Sequence, residues 1–514
     1  MKARPAVFDD KPLARLDATI TLKPLAVAGA AIGALTVLRL LFVALSPWEL
    51  SQDEAQYWFW SQHPAFGYFS KPPLIAWLIG ATTGVFGDTE FGVRVSTALF
   101  HGGTALILAA LAKRLFGARE AVAAALIWAL APAVSISTHL MSTDVPLLMF
   151  WSGALYVAYA AITSEKPNWP LGLFFGALFG LGFLAKYAMI YFPIGLGAAM
   201  AASSRLRRPG AVALLAAPPV IALLIAPNVL WNQQHAFSTL SHTAANADWS
   251  SELFNIDKLA LFLGGQFIVF GPIAFAALLW AAWSMRERLA ETADADRRAK
   301  LIFLIAMAAP PLIIVSLQAF LSRAHANWAA TAYPAASVLL SALLLARPKV
   351  LAASLGANAL AFSIVTFCAL APGVVERESG AAPFTEVRGW REQATAIAAV
   401  SDGYDVVLAD DRALMAALYF YAPGMTTPVM AWDPNRSVDH HFEAFYAYEP
   451  RKGDRALFPT YWHHENPPVR RAFDRIERVG EIAAPAGTRG RKITLLELSE
   501  VRDDAWHMTP PTER

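Results

Sequence analysis

Residues 24–46 read PLAVAGAAIGALTVLRLLFVALS, an apolar run whose one charge is Arg39. Coiled as a helix, a run of this length crosses the roughly 30 Å hydrocarbon core of a bilayer. Runs of the same kind recur near 91–112, 120–140, 145–162, 170–185, 187–203, 210–230, 258–283, 301–320, 328–346 and 350–371, which makes eleven with the first. The shorter stretch 72–87, PPLIAWLIGATTGVFG, opens on Pro72-Pro73 and reads as a re-entrant or interfacial helix. Ala44-Leu45-Ser46 loosely resembles a leader cleavage site, but the run is too long for a leader and Pro47 follows, so it reads as an uncleaved span.

Composition agrees. Of 514 residues 56% are hydrophobic and 16% charged, where soluble domains carry about 25% charge, and the mean hydropathy is +0.41. This excludes a disordered, collagen-like or coiled-coil chain and a string of soluble domains. A net charge of +2 leaves no basic surplus for a nucleic-acid partner. The single cysteine, Cys368 in SIVTFCALA, cannot form an intrachain disulfide and reads as a buried, inert thiol. Gly172, Gly176 and Gly180 recur every four residues, as in a close-packed helix face. No GxxxxGK[ST] loop occurs, so ATP-driven transport has no support.

Basic residues orient the chain. With residues 1–23 in the cytoplasm, the inner segments hold nineteen of them: Lys2, Arg4, Lys11, Arg15, Lys23, Lys113, Arg114, Arg119, Lys166, Arg205, Arg207, Arg208, Arg286, Arg288, Arg297, Arg298, Lys300, Arg347 and Lys349. The outer ends before residue 372 hold five, namely Lys71, Arg94, Lys186, Lys258 and Arg323. After Pro372 the chain turns polar, with strand-like DVVLA (405–409) and KITLLEL (492–498) around a helical stretch 412–421. The expected fold is an all-α polytopic bundle of about eleven transmembrane helices over 24–372, with a first outer loop 47–90. A small α/β domain, 373–514, follows on the outer face.

Ionisable residues are costly in a membrane, so their positions carry information. Apart from Arg39 and His101, which are expected to snorkel or face other helices, they gather at the outer face: Asp53, Glu54, Lys71, Asp88, Glu90, Arg94, Asp144, Lys186, Arg323 and His325. Carboxylates beside cations at a lipid–water boundary suit a reaction on an anionic lipid, with the cations on phosphate and a carboxylate activating the nucleophile. Asp53 and Lys71 stand out because SQDEAQYWFWSQHPAFGYFSKPPL (51–74) is too aromatic for a passive loop.

At these residues the chain resembles the C-type glycosyltransferases, above all the bacterial branch of aminoarabinose transferases that modify lipid A, with protein mannosyltransferases as more distant relatives. The Asp53-Glu54 pair after the first span and Tyr68-Phe69-Ser70-Lys71-Pro72-Pro73 carry the likeness, with Phe86-Gly87, Phe91-Gly92-Val93-Arg94 and Ser142-Thr143-Asp144-Val145-Pro146-Leu147. The layout covers roughly 20–350. The resemblance implies transfer of a sugar from a polyprenyl-phosphate carrier to a glycolipid or protein acceptor at the outer face. It implies Asp53 as catalytic carboxylate, Asp144 as a second acidic position and Lys71 on the donor phosphate. Glu54 is a further catalytic candidate, Arg323, Lys186 and His325 are phosphate-binding candidates, and Gln56, Tyr57 and Tyr68 are candidates for the substrate pocket. Two positions depart from the branch: Gln56 stands where arginine is common, and Ser70 where glutamate precedes the lysine. Ser70 removes a possible metal ligand, and neither metal nor other cofactor is expected.

The chemistry can also be read without the name. A sugar C1 on a lipid phosphate has a good leaving group, so the reaction needs one base and cations at the departing phosphate. A transporter or flippase is the rival class. It commonly shows paired repeats and charges near the midplane, and neither is apparent here.

Overall fold

Apolar helices account for most of the first 370 residues of the computed structural model, which describes residues 24–245, 253–379, 381–435, 437–461, 467–486, 488 and 491–502. The basic residues Lys2, Arg4, Lys11, Arg15 and Lys23 lie outside the described residues. Among the described residues six helices are long and apolar enough to cross a bilayer: Ala26–Leu45, Glu90–Leu115, Asp144–Ile162, Pro209–Gln234, Ala295–Leu321 and Pro348–Leu370. Two bent pairs raise the number to eight if each is one span: Ala118–Ala129 with Pro132–Thr138, at 57°, and Ile256–Val269 with Pro272–Glu291, at 117°. Leu74–Phe86, Trp169–Ala185 and Tyr187–Ala202 are shorter apolar helices.

The breaks explain why eleven apolar runs are not eleven plain rods. The run 258–283 turns at Gly271, whose φ of +103° suits glycine, and Pro272 then starts the next helix without needing an amide partner. Asn358 from helix Pro348–Leu370 closes the gap by donating to the Phe270 carbonyl at 3.3 Å. The run 120–140 breaks before Pro132. Here Arg39 neither snorkels nor pairs with an acid: it is buried and donates to the Ala129 carbonyl at the helix end. A polar side chain thus satisfies backbone that lipid could not. The run 328–346 begins as the 3-10 turn Ala326–Ala332 and continues as helix Tyr333–Leu344.

Gly172, Gly176 and Gly180 do form a close-packed face. A methyl group at 176 would lie 2.8 Å from the Ala217 carbonyl oxygen, and one at 180 would lie 2.7 Å from Leu224. Cys368 is half-buried, not buried, because its helix Pro348–Leu370 has few enclosed positions.

Among the described residues the polar C-terminal part holds five strands: β1 Val406–Ala409, β2 Val429–Ala431, β3 Ala456–Thr460, β4 Phe473–Ile482 and β5 Ile493–Val501. Their order is β2-β1-β3-β5-β4. β1 pairs in parallel with β2 and β3, while β5 is antiparallel to β3 and β4. The expected strand runs thus become β1 and β5, and the expected helical stretch is helix Arg412–Tyr421. This helix packs on helix Gln52–Gln62, in the loop that follows the first span, with Phe420 edge-on to Trp58 at 4.8 Å and Tyr419 against Phe59 at 4.4 Å. Such ring pairs contribute about 0.5–1.5 kcal/mol each beyond burial. They join loop and domain in one hydrophobic cluster.

Candidate active site

Helix Gln52–Gln62 starts with a capping box. The Ser51 hydroxyl accepts from the Glu54 amide, and the Glu54 carboxylate accepts from the Ser51 amide at 3.0 Å. That bond turns Glu54 inward. Its side chain is 1% exposed and forms a two-point ion pair with Arg94, at 2.7 and 2.8 Å, and its Oε1 also accepts from the Met141 amide at 2.8 Å. Arg94 also donates to the Trp48 and Glu49 carbonyls. Glu54 therefore ties three segments together and is not on the cavity wall.

Asp53, one residue earlier, points elsewhere. Its side chain is 51% exposed, and Oδ1 accepts from Arg412 at 2.8 Å. It borders a cavity of about 500 Å³ between the loop that follows the first span, the membrane helices and the C-terminal domain. Gln56, Ser70 and Lys71 line it from the loop, His325 and Asn327 from the 3-10 turn region, and Arg412 with Asp439, His440 and His441 from the domain. Gln56 is buried, and its side-chain oxygen accepts from Arg412 at 3.3 Å.

Lys71 is held by its turn. The Tyr68 amide donates to the Lys71 carbonyl at 3.1 Å, and the Tyr68 ring stacks on Trp60 at 4.6 Å while its hydroxyl donates to the Trp60 carbonyl. Tyr68 thus shapes the turn and is not on the wall. Burial, then the neighbouring Lys186, lowers the pKa of the Lys71 ammonium, against the pull of Asp53 and Asp144. Tyr57 is buried behind Asp53, and burial pushes its phenol well up.

Asp144 heads helix Asp144–Ile162, but its oxygens serve side chains: Lys186 Nζ donates at 2.7 Å and Asn327 at 2.8 Å. It borders an apolar pocket of about 410 Å³ that shares His325 and Asn327 with the polar cavity. Arg323 is exposed and off both walls.

Arg412, Asp439, His440, His441, His242 and Asn327 were not singled out by sequence. Burial lowers the imidazoles of His440 to about 4 and His441 to about 3, so both are neutral near pH 7. The run Asp439-His440-His441 was a visible local signal. Arg412 gave none, since its partner Asp53 is 359 positions away. Among the described residues no three His, Cys, Asp or Glu side chains converge as metal ligands.

Residues 70–231 match the family model described as dolichyl-phosphate-mannose-protein mannosyltransferase. The lipid A galacturonosyltransferase RgtD of Rhizobium johnstonii is 33% identical over 430 residues, covering 83% of this chain and 89% of the relative. The chain belongs to the C-type family of integral-membrane glycosyltransferases. The lipopolysaccharide core galacturonosyltransferase RgtA of the same organism is 28% identical over 270 residues, about half of each chain. The solved structure of ArnT from Cupriavidus metallidurans superposes with a TM-score of 0.62 at 16% identity, over 91% of this chain and 97% of that one. The protein is thus a multi-pass membrane enzyme that transfers sugars, with an ArnT-like fold.

Proposed function

We propose that this transferase moves a hexuronic acid from a polyprenyl-phosphate carrier to a lipid A-type glycolipid at the outer face of the inner membrane. The observation that carries the reading is that Asp53 and Lys71 border one cavity at the junction of membrane helices and outer domain. The relatives RgtD and RgtA, both galacturonosyltransferases by name, support the sugar and the envelope acceptor. ArnT has also been solved with undecaprenyl phosphate, at a TM-score of 0.61 to this chain. The nineteen-to-five distribution of basic residues supports an inner N-terminus. The six long helices, the two bent pairs and the segments 169–185, 187–202 and 326–344 would together make eleven crossings.

In this reading an acceptor hydroxyl forms a bond to the sugar C1 as the C1–O bond to phosphate breaks, inverting the centre. The hydroxyl proton goes to Asp53, and the bonding pair leaves with the polyprenyl phosphate. Lys71 meets that phosphate with a charge-assisted hydrogen bond, in place of a metal ion. Asp144, clamped by Lys186 and Asn327, fixes the floor between the polar cavity and the apolar pocket, where the first isoprene units fit.

The test uses purified full-length protein, a polyprenyl-phosphate hexuronic acid and lipid A. Release of polyprenyl phosphate matched by modified lipid A is expected. Release matched by modified protein, or no release with any acceptor, would overturn the reading.

A further inference from the structure

Arg412 opens helix Arg412–Tyr421, and two anchors fix where it stands. Asp411 caps the helix, its Oδ1 accepting from the Leu414 amide at 2.7 Å. Farther along, Tyr419 and Phe420 are set against Phe59 and Trp58 of helix Gln52–Gln62. The guanidinium therefore reaches the cavity from a rigid base. It touches Asp53 through Nη2 at 2.8 Å and Gln56 through Nη1 at 3.3 Å, one bond to each, and its side chain is 27% exposed. An arginine carries five N–H donors in a planar fork, so most of this fork is available to a ligand.

The charges around it are otherwise balanced or spoken for. Lys186 is held by Asp144, and Lys71 is assigned to the donor phosphate. His440 and His441 are neutral near pH 7, and Asp439 sets a negative charge on the same wall. Bulk positive charge thus does not draw an anion to this end; only the geometry of the fork selects one. Asp53 holds the fork by a single hydrogen bond, from Nη2 to Oδ1 at 2.8 Å. A ligand carboxylate that takes over the fork with a two-point pair would replace that single bond and leave the Asp53 oxygen free. A neutral sugar offers nothing to exchange for Asp53.

We infer that Arg412 is a specificity-determining residue that binds the carboxylate of the transferred hexuronic acid, and that this contact draws the guanidinium off Asp53. The inference rests on the function proposed above. It makes the outer domain part of the active site, with acidic sugar preferred over its neutral counterpart at the chemical step.

The experiment measures donor kcat/KM for the full-length enzyme with polyprenyl-phosphate hexuronic acid and with the matching neutral hexose. Wild type, Arg412→Ala and the double variant Gln56→Arg with Arg412→Ala are compared. A charge-assisted pair corresponds to roughly ten- to hundredfold. Arg412→Ala should therefore lower the uronic-to-neutral preference by tenfold or more, and arginine moved to position 56, beside the same spot, should restore part of it. Equal losses on both donors would overturn the inference, leaving Arg412 as a prop for Asp53. A loss that disappears when the acceptor lacks phosphate would also overturn it, by moving the contact to the acceptor. Absence of hexuronic acid transfer by the wild type would instead sink the underlying function, so the two failures are distinguishable. A double variant that folds, keeps activity and shows no recovered preference counts against the inference as well.

Discussion

Asp53 and Glu54 are neighbours in sequence, and each is paired with an arginine, yet the two pairs live in different physical worlds. Glu54–Arg94 is sealed, with both side chains 1% exposed and Arg94 also donating to backbone carbonyls. Asp53–Arg412 is open, with one bond, half-exposed partners and a cavity at its side. A sealed pair can only hold a structure together. An open pair with spare donors and a spare carboxylate oxygen can exchange partners, as the proposed transfer at this wall would demand.

Substitutions should separate the two pairs. Glu54→Ala strands the buried Arg94 charge, and breaking such a pair costs about 3–5 kcal/mol. Thermal unfolding in detergent should show a large drop in midpoint, or no folded protein; removing both charges, Glu54→Ala with Arg94→Leu, should recover part of the loss. Asp53→Asn should do the opposite. Its unfolding midpoint should stay near that of the wild type while the transfer rate falls by about 10²–10⁴-fold, the usual contribution of a positioned base. A stable Glu54→Ala protein with low activity would reverse the two roles.

Lys71→Ala should lower donor kcat/KM by roughly ten- to hundredfold, as loss of a charge-assisted phosphate contact would. Arg323→Ala should change it little, since Arg323 is off the wall. The smallest effect concerns pH. His440 and His441 are held by burial at about 4 and about 3, below the unfolded value near 6.5. Between those limits the unfolded chain binds protons that the folded one does not, so stability is full above pH 6.5 and declines as pH falls toward 4 and 3. His441→Phe should flatten that decline in a midpoint-versus-pH series, and an unchanged slope would contradict the assignment.

The membrane class and the strands of the C-terminal part were legible because each rests on local pattern. Runs of apolar residues, the Asp53 and Lys71 motifs and the short apolar run in DVVLA declare themselves within a few positions. The breaks were harder. Gly271-Pro272 sits inside a long apolar run, and the Asn358 side chain that donates to the Phe270 carbonyl at the turn arrives from another helix. Glu54 and Asp53 looked alike because burial is decided by which way a capping box turns the side chain. Arg412 was hidden for a different reason: no local pattern links a helix start in a soluble domain to an acid at the end of the first span. Tyr68 illustrates the converse, a residue conspicuous in its motif whose stacking on Trp60 assigns it to the turn and not to the pocket.

The most direct measurement is the mass spectrum of lipid A from cells that lack the protein, carry it, or carry Asp53→Asn. Lipid A heavier by one hexuronic acid residue is expected only with the wild-type protein, at equal membrane levels of both forms. The same species in cells lacking the protein, or in those carrying Asp53→Asn at wild-type abundance, would contradict a transferase built around this open pair.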